Sequence, residues 1–302
     1  MNVLIRADSS SIIGTGHIMR DLVLASQYCR DDVSFATQNL PNNINHKIIE
    51  AGYELHTIKD NSFSVLDRLI KKLNIDMLIN DHYDIGYEFE KKLKTNNPSL
   101  KILSFDDTYE KHYCDILLNH NVSADELKYF GKLPQDCELR CGSKYTLLRE
   151  EFLIEKAKPK KTNNKTTVFI AMGGADHTNI NIDILKVLNS FEGVLVNLVT
   201  TTANQNLDSL KQYCENKEWV NLYINSNQIA KLMKQSDFAI VTPSVTVNEI
   251  IFMELPFIAV MTAENQVDML DFIKKKRINA LEKFDSVDLK LCIEKQINKR
   301  GK

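Results

Sequence analysis

Short apolar segments alternate with longer amphipathic segments along the whole chain. Continuous apolar runs of this length predict buried parallel strands, because both faces of such strands are covered. In the first half the runs lie at residues 3–6, 33–36, 77–80, 102–105 and 116–119, with predicted helices at 17–29, 44–51, 65–73 and 87–94. The second half has predicted strands at 168–172, 195–199, 222–224, 238–241 and 257–260, and helices at 180–188, 207–214, 228–233, 246–253 and 267–276. The alternation is typical of α/β folds built from βα units around a mostly parallel sheet.

A polar segment divides this pattern into two parts. From Glu155 the chain reads EKAKPKKTNNKTT, in which Lys, Asn, Thr and one Pro replace the apolar residues. Such a composition indicates a linker. We therefore expect an N-terminal α/β domain at 1–155, a linker at 156–167 and a C-terminal α/β domain at 168–302, which agrees with a length of 302 residues.

The overall composition excludes several classes of protein. Hydrophobic residues make up 43% and charged residues 26%, and 38 basic against 40 acidic side chains leave a net charge of −2. There is no basic surplus for nucleic acid and no apolar run of about 20 residues for a membrane span. The six cysteines are sparse, which favours free thiols in a reducing compartment. We expect a cytoplasmic protein with no nucleic-acid partner, no membrane partner and no metal site.

The turn after the first predicted strand is the first candidate site. Residues 6–22 read RADSSSIIGTGHIMRDL, in which Gly14 and Gly16 permit a tight turn before His17 at the helix start. A helix N-terminus favours neutral imidazole, the form that accepts a proton, and Asp8 or another nearby carboxylate could fix its tautomer. A capping or loop histidine is the alternative. Met19 replaces the third glycine of a dinucleotide fingerprint, and the chain has no P-loop, so we expect no cofactor.

Two turns in the second half could hold a nucleotide. Gly173 and Gly174 follow a predicted strand and leave backbone amides free for a phosphate. Ser244 and Val245 lie where a helix begins after another strand, and Glu249 follows about one turn later, where a carboxylate suits ribose hydroxyls. Glycine turns and helix caps are common, so ordinary capping explains each feature equally well.

Further polar residues follow other predicted strands. Asn265 and Gln266 carry amides that could hold sugar hydroxyls or an acetamido group, although Asn265 is also an ordinary helix cap. Five residues beyond strands of the first half could contact a substrate or cap the next helix: Asp81, His82, Tyr83, Asp106 and Asp107. Carboxyl ends of parallel strands form the ligand-binding edge of open α/β sheets.

Seven stretches together resemble the nucleotide-sugar hydrolases of pseudaminic acid biosynthesis: residues 6–22, 79–83, 101–107, 114–119, 139–152, 172–176 and 243–249. The most specific are R-x-D-S-S-x-x-I-G-x-G-H-x-x-R-D-L and I-L-S-F-D-D. Thr15 stands where an aromatic can occur, Ala175 takes the place of a Thr, and the match is poor after about Leu270.

The resemblance implies a GT-B fold, with two Rossmann-like α/β domains and a cleft between them. It also implies that water releases UDP from UDP-2,4-diacetamido-2,4,6-trideoxy-beta-L-altropyranose with inversion and without a metal. His17 matches the residue that positions or deprotonates the water. The nucleotide contacts match Gly173, Gly174, Ser244, Val245 and Glu249, and the sugar side matches Asn265 and, less closely, Tyr83. We add Asp8, Gly16 and Gln266 to the sugar side.

Several expectations go beyond single motifs. We expect His17 and Glu249 to face each other across the cleft, and we expect a monomer that ends at Lys302 without the acetyltransferase domain that some relatives carry. A GT-B glycosyltransferase that passes an amino sugar from UDP to an acceptor would have a similar sequence. A non-catalytic UDP-sugar-binding protein or a UDP-sugar epimerase would also fit these residues.

Overall fold

The structure is a computed structural model that describes residues 1–10, 12–160, 164–174, 176 and 178–300, with the side chain of residue 300 left aside. The chain forms two units, Met1–Leu147 and Leu148–Lys302. Ser11 of the turn motif at 6–22 and Ala175 of the second glycine turn lie outside the described residues, as does part of the expected linker.

The first unit is a seven-stranded parallel sheet with helices between its strands. In order β3-β2-β1-β4-β5-β6-β7, its strands are β1 (Asn2–Ala7), β2 (Asp32–Gln38), β3 (Glu54–Ile58), β4 (Met77–Asp81), β5 (Lys101–Phe105), β6 (Ile116–Asn119) and β7 (Glu138–Cys141). The helices are α1 (Gly16–Ser26), α2 (His46–Glu50), α3 (Phe63–Lys72) and α4 (Tyr87–Asn96), with short 3₁₀ turns at Glu126–Tyr129 and Ser143–Tyr145.

The central strand β1 explains the continuous apolar runs. Leu4 packs into the apolar cluster on one face of the sheet, whereas Val3 and Ile5 pack into the cluster on the other face. Both faces of the strand are thus buried, as expected for parallel sheets. In the register of β1 with β4, Ala7 pairs with Asp81, so the turn after β1 and the end of β4 lie side by side.

The second unit contains a six-stranded parallel sheet of order β10-β9-β8-β11-β12-β13. Its strands are β8 (Thr166–Ala171), β9 (Val194–Thr200), β10 (Val220–Ile224), β11 (Phe238–Val241), β12 (Phe257–Val260) and β13 (Asn279–Leu281). The helices are α5 (Glu150–Ala157), α6 (Ile180–Leu188), α7 (Leu207–Cys214), α8 (Ile229–Gln235), α9 (Thr246–Phe252), α10 (Val267–Lys275) and α11 (Ser286–Arg300). Over the described part of the chain, no helix is long and apolar enough to cross a membrane.

Three strands were not predicted, and all three lie at sheet edges. They are β3, β7 and β13. An edge strand is less fully covered than a central one, so it needs no continuous apolar run. The residues of β3, ELHTI, mix polar and apolar types, and β13 has only three residues.

The boundary between the units lies earlier than residue 155. Helix α5 packs against α8 of the second unit and buries Phe152 completely. Lys156 at the end of this helix donates to the carbonyl of Phe252 at 2.6 Å. The expected linker at 156–167 therefore begins inside α5 and ends inside β8.

Candidate functional site

The turn between β1 and α1 has the conformation that its glycines allow. Ser10 and Gly14 exchange backbone hydrogen bonds of 3.3 and 2.8 Å, which closes the turn. Gly14 has a φ of +84°, a conformation that other residues rarely adopt. A Cβ at Gly16 would meet nothing within 4 Å, so this glycine leaves open space directly before His17.

His17 is held through one ring nitrogen. Its Nδ1 lies 3.0 Å from Oδ1 of Asp81 and 3.1 Å from the backbone carbonyl of the same residue. Both neighbours are acceptors, so Nδ1 carries the hydrogen and Nε2 carries the lone pair. No described residue makes a hydrogen bond to Nε2. With a side chain that is 12% exposed, His17 can accept a proton from a molecule in the open space.

The electrostatics of His17 differ from the sequence expectation. Burial alone lowers the pKa of His17, but the negative charge of Asp81 and its hydrogen bond outweigh burial and leave the pKa above its usual value. We expected the helix N-terminus to favour the neutral form; the adjacent carboxylate has the stronger effect because it contacts the ring directly. Asp81, rather than Asp8, is the carboxylate that fixes the tautomer.

Asp81 is held in turn by a guanidinium. Arg20 donates to its two carboxylate oxygens, at 2.7 Å from Nε and 2.5 Å from Nη2. Burial raises the pKa of Asp81, but the charges of Arg20 and His17 hold it well below its usual range. Arg20 lies three residues after His17, on the same face of α1. The motif of residues 6–22 contains Arg20, but its contact with Asp81, 61 residues away, could not be identified from local spacing.

Tyr83 and Asp107 complete the arrangement around His17. The ring of Tyr83 contacts the His17 ring edge to face, with centroids 5.3 Å apart. The Tyr83 hydroxyl donates to Oδ1 of Asp107 at 3.0 Å, and Arg20 Nη1 lies 3.6 Å from the other carboxylate oxygen. Tyr83 is 63% exposed, so the structure places this expected sugar-side residue beside His17 and accessible to a ligand.

Asp8 does not reach this open space. It is buried, its Oδ1 accepts from Arg6 Nη1 at 2.8 Å and from the amide of Gln38 at 2.7 Å, and its Oδ2 lies 3.2 Å from Nε2 of His82. Burial raises the pKa of Asp8, but the hydrogen bonds from His82 and Arg6 hold it well below its usual range. Asp8 therefore neutralises the fully buried Arg6 and stabilises the turn, in place of the expected sugar contact.

The glycine turn after β8 has two different requirements. Gly173 has a φ of +83° and open space around it. A Cβ at Gly174 would lie 2.9 Å from Cγ2 of Thr201, whose hydroxyl donates to the Gly174 carbonyl at 2.9 Å. Gly173 is thus required by its positive φ, and Gly174 is required because its backbone packs closely against Thr201. Open space beside Gly173 leaves room for a ligand.

Ser244 and Val245 lie at the start of α9, at the end of β11. The Ser244 hydroxyl accepts from Thr242 at 3.3 Å and keeps its own hydrogen for another acceptor. Val245 is exposed, and no side chain caps the helix start. The Ser244 hydroxyl and the start of α9, which no side chain caps, are available to a bound group.

Glu249 lies in the first turn of α9 and is paired with an arginine that the motifs did not indicate. Arg149 Nη2 donates to Glu249 Oε1 at 3.0 Å, and Arg149 Nη1 lies 2.5 Å from Glu151. Burial raises the pKa of Glu249 above its usual value, while the charge of Arg149 opposes that shift. Arg149 is 100 residues away in sequence, so no local spacing could have identified it.

The two amides after β12 are placed differently. Asn265 is exposed in the 3₁₀ turn Glu264–Gln266 and is available to a ligand. The side-chain oxygen of Gln266 instead accepts from the backbone amide of Thr262 at 2.9 Å, and its side-chain nitrogen lies 3.3 Å from the Thr262 hydroxyl. The Gln266 side chain is therefore engaged within its own turn, whereas the Asn265 side chain is exposed, and the sugar-side role expected of each stays a prediction.

Proteins of similar sequence include one from polysaccharide biosynthesis. The chain is 23% identical over 279 residues to the spore coat polysaccharide biosynthesis protein SpsG of Bacillus subtilis, covering 88% of this chain and 79% of that one. No protein-family model matches the chain.

Solved structures show the fold. The structure of MurG from Acinetobacter baumannii matches with a TM-score of 0.67 at 12% identity, over 99% of this chain and 91% of that chain. The spinosyn rhamnosyltransferase SpnG matches with a TM-score of 0.67 at 11% identity, over 99% and 92%. These similarities confirm the expected GT-B fold.

A more similar sequence is that of the UDP-2,4-diacetamido-2,4,6-trideoxy-beta-L-altropyranose hydrolase of Campylobacter jejuni. The two are 40% identical over 276 residues, which cover 91% of this chain and 97% of the Campylobacter protein. The chain therefore belongs to the family of UDP-2,4-diacetamido-2,4,6-trideoxy-beta-L-altropyranose hydrolases.

Proposed function

We propose that the protein hydrolyses UDP-2,4-diacetamido-2,4,6-trideoxy-beta-L-altropyranose to UDP and the free 2,4-diacetamido-2,4,6-trideoxy-L-altropyranose, by inverting attack of water at the anomeric carbon. The observation that carries the proposal is the pair of His17 and Asp81. One ring nitrogen is bound to a carboxylate, and the other has no hydrogen-bond partner in the described part of the chain. Family membership supports the choice of substrate.

In the proposed step, Nε2 of neutral His17 accepts a proton from water while the water oxygen bonds to the anomeric carbon. The bond from that carbon to the β-phosphate oxygen breaks, and its electron pair leaves with UDP. Attack on the face opposite UDP inverts the configuration. Asp81 keeps the hydrogen on Nδ1 and stabilises the imidazolium that forms, the role of the aspartate in Ser-His-Asp triads.

The second unit would supply the groups that bind the leaving UDP. We assign the diphosphate to the turn at Gly173 and Gly174 and to Ser244 and Val245. Negative charge develops on the diphosphate as the bond breaks, so neutral donors directed at it stabilise the transition state more than the ground state. We propose that no metal ion takes part.

Glu249 is assigned to the ribose. One of its carboxylate oxygens is bound by Arg149, which leaves Oε2 to accept from ribose hydroxyls. Tyr83 and Asn265 are assigned to the sugar, where an aromatic ring and an amide suit a deoxy sugar with acetamido groups. The expectation that His17 faces Glu249 stays a prediction.

Proton NMR of the purified protein with the UDP-linked sugar and a chelator tests the reaction and its stereochemistry together. We expect UDP and the inverted anomer of the free sugar to form without any acceptor. An intact donor after hours would indicate a binding protein. UDP release only after addition of an acceptor would indicate a glycosyltransferase, and an isomeric UDP-sugar an epimerase.

A pair of histidine variants tests the assigned base. His17→Ala should lose roughly 10²- to 10⁴-fold in kcat, the usual contribution of general base catalysis, while its affinity for UDP is retained. His46→Ala removes an exposed histidine at the start of α2 and serves as the control, with wild-type turnover. Wild-type turnover in His17→Ala would refute the mechanism.

We further propose that the protein acts as a monomer in the cytoplasm. Its six cysteines are all free thiols, which suits a reducing compartment. Sedimentation equilibrium at increasing concentrations tests the monomer, and a mass that rises with concentration would contradict it.

A further inference from the structure

A second carboxyl group, that of Asp21, lies beside Asp81 in the interior of the first unit. Asp21 follows His17 by four residues on α1, so both residues lie on the same face of the helix. The Asp21 side chain is fully buried, and neither of its carboxyl oxygens has a hydrogen-bond partner among the residues that the structure describes. The mechanism proposed above makes no use of this group.

An ionised carboxylate cannot remain in such a place. Removing its charge from water without any donor costs several kcal/mol, whereas protonation removes the charge. A protonated Asp21 also gains a partner, because Asp81 lies within hydrogen-bonding reach and holds its own negative charge through Arg20. Two carboxyl groups side by side with one shared proton avoid the repulsion between like charges.

The charged and titratable groups around this pair come from several elements of the first unit. They are His17 and Arg20 on α1, Asp81 at the end of β4, Tyr83 after it, Asp107 after β5 and His120 after β6. His120 is buried without a hydrogen-bond partner for its ring among the described residues. Burial, followed by the charge of Arg20, lowers the pKa of His120 to about 3, so it adds no charge at neutral pH.

We propose that Asp21 is a neutral carboxylic acid that donates its proton to Asp81 and thereby reduces the negative charge that Asp81 presents to His17. Asp21 is a positioning residue, since it acts on the imidazole only through Asp81. Its hydrogen bond competes with that of His17 for the same carboxylate. His17 is thus kept from becoming a permanently charged partner of Asp81, and it remains able to accept a proton near neutral pH.

The protonation state is tested first, on the resting protein without substrate. Infrared spectra of protein with ¹³C-labelled aspartate carboxyl groups separate the carbonyl band of a carboxylic acid from the bands of carboxylates. We expect an acid band at pH 7 and 8 in the wild type that is absent in Asp21→Asn. Asp31→Asn, which changes an aspartate that pairs with the chain's N-terminal amine, is the control and keeps the band. A wild type without an acid band at pH 7 would overturn the proposal.

The influence on His17 is tested by NMR titration of its ring, assigned through the signal lost in His17→Ala. Asp21→Leu removes the donor to Asp81, so Asp81 presents more charge and the pKa of His17 rises by roughly one unit, the worth of one hydrogen bond to a charged group. Asp21→Asn supplies an amide donor and restores the wild-type midpoint. An unchanged midpoint in a folded Asp21→Leu protein would overturn the proposal; if that variant does not fold, the infrared result decides.

The kinetic consequence rests on the proposed function and is measured separately. The acidic limb of kcat/KM against pH should move upward in Asp21→Leu together with the midpoint of His17. If the infrared band and the titration behave as expected while the protein releases no UDP, the proposed function fails and the role of Asp21 stands. If UDP is released but the wild type shows no acid band, the proposed role of Asp21 fails and the proposed function stands.

Discussion

Replacing Asp81 by Asn separates the charge of this residue from its size. In the protein, Nδ1 of His17 has two acceptors, the Asp81 carboxylate at 3.0 Å and the Asp81 carbonyl at 3.1 Å. The Asn variant loses the charged carboxylate, leaves at most a neutral amide oxygen in its place, and keeps the backbone carbonyl. The carbonyl still favours the productive tautomer, so the loss should be smaller than that caused by a wholly wrong tautomer.

The magnitude follows from the one interaction removed. A hydrogen bond to a charged group contributes about 1.5–3 kcal/mol, which corresponds to a decrease in kcat of roughly 10- to 150-fold.

The pH dependence must change as well. Without the charge of Asp81, burial and the charge of Arg20 lower the pKa of His17, and they outweigh the smaller raising effect of the hydrogen bond to the Asp81 carbonyl. In the proposed mechanism activity requires neutral His17 and rises with pH through this pKa. The acidic limb of the activity should therefore move downward, opposite to the shift expected for Asp21→Leu.

The assay measures UDP release across pH, combined with NMR titration of the His17 ring. Asp84→Asn is the matched control, because Asp84 lies in the same turn after β4 but its side chain is 74% exposed. It should keep wild-type kcat and the wild-type midpoint. Arg20 loses its main partner in Asp81→Asn, so thermal unfolding must first show that the variant folds. Wild-type kcat in a folded Asp81→Asn protein, or a midpoint that moves upward, would refute the reasoning.

Two further predictions concern the second unit. Arg149→Met keeps an apolar stem but leaves the half-buried Glu249 without its cation, so UDP affinity should fall roughly tenfold, as we also expect for Glu249→Ala, and should fall further as the pH is lowered. Calorimetry at several pH values checks this, and unchanged affinity would contradict it. Gly174→Ala places a Cβ against Thr201 and should lower the free energy of unfolding by about 1–3 kcal/mol. Adding Thr201→Ser removes the methyl group of Thr201 and should recover part of that loss. Thermal unfolding checks this, and a wild-type melting temperature in the Gly174→Ala single variant would contradict it.

Much of the fold could be predicted from the sequence because central parallel strands are buried on both faces. Each central strand showed as an apolar run, so the succession of strands and helices along the chain could be predicted. The edge strands β3, β7 and β13 could not be found in this way, since their partly exposed residues are mixed in character. Helix α5 was missed because it has only eight residues, and its apolar residues 152–154 stand together beside a polar segment instead of recurring with a helical period.

The candidate site was predictable where local conformation decides the structure. The glycine turn and the helix start placed His17 correctly at the carboxyl edge of the sheet. What the sequence could not supply was the order of strands, which puts Asp81 beside that turn through the pairing of β1 with β4. The same limit applies to Arg149, whose contact with Glu249 depends on tertiary packing alone.

A perturbed carboxylate does not by itself identify the site, as the two aspartates at the ends of β1 and β4 show. Asp8 and Asp81 both have a pKa well below the usual range, and each contacts a histidine. His82, the partner of Asp8, has both ring nitrogens engaged, since its Nε2 lies 3.2 Å from Asp8 and its Nδ1 accepts from the Asp84 amide at 3.1 Å. His17 is bound through Nδ1 alone. Of the two, only His17 can exchange a proton with a bound molecule without first breaking a hydrogen bond of the fold. This difference supports the proposed catalytic role of His17 and favours a structural role for His82.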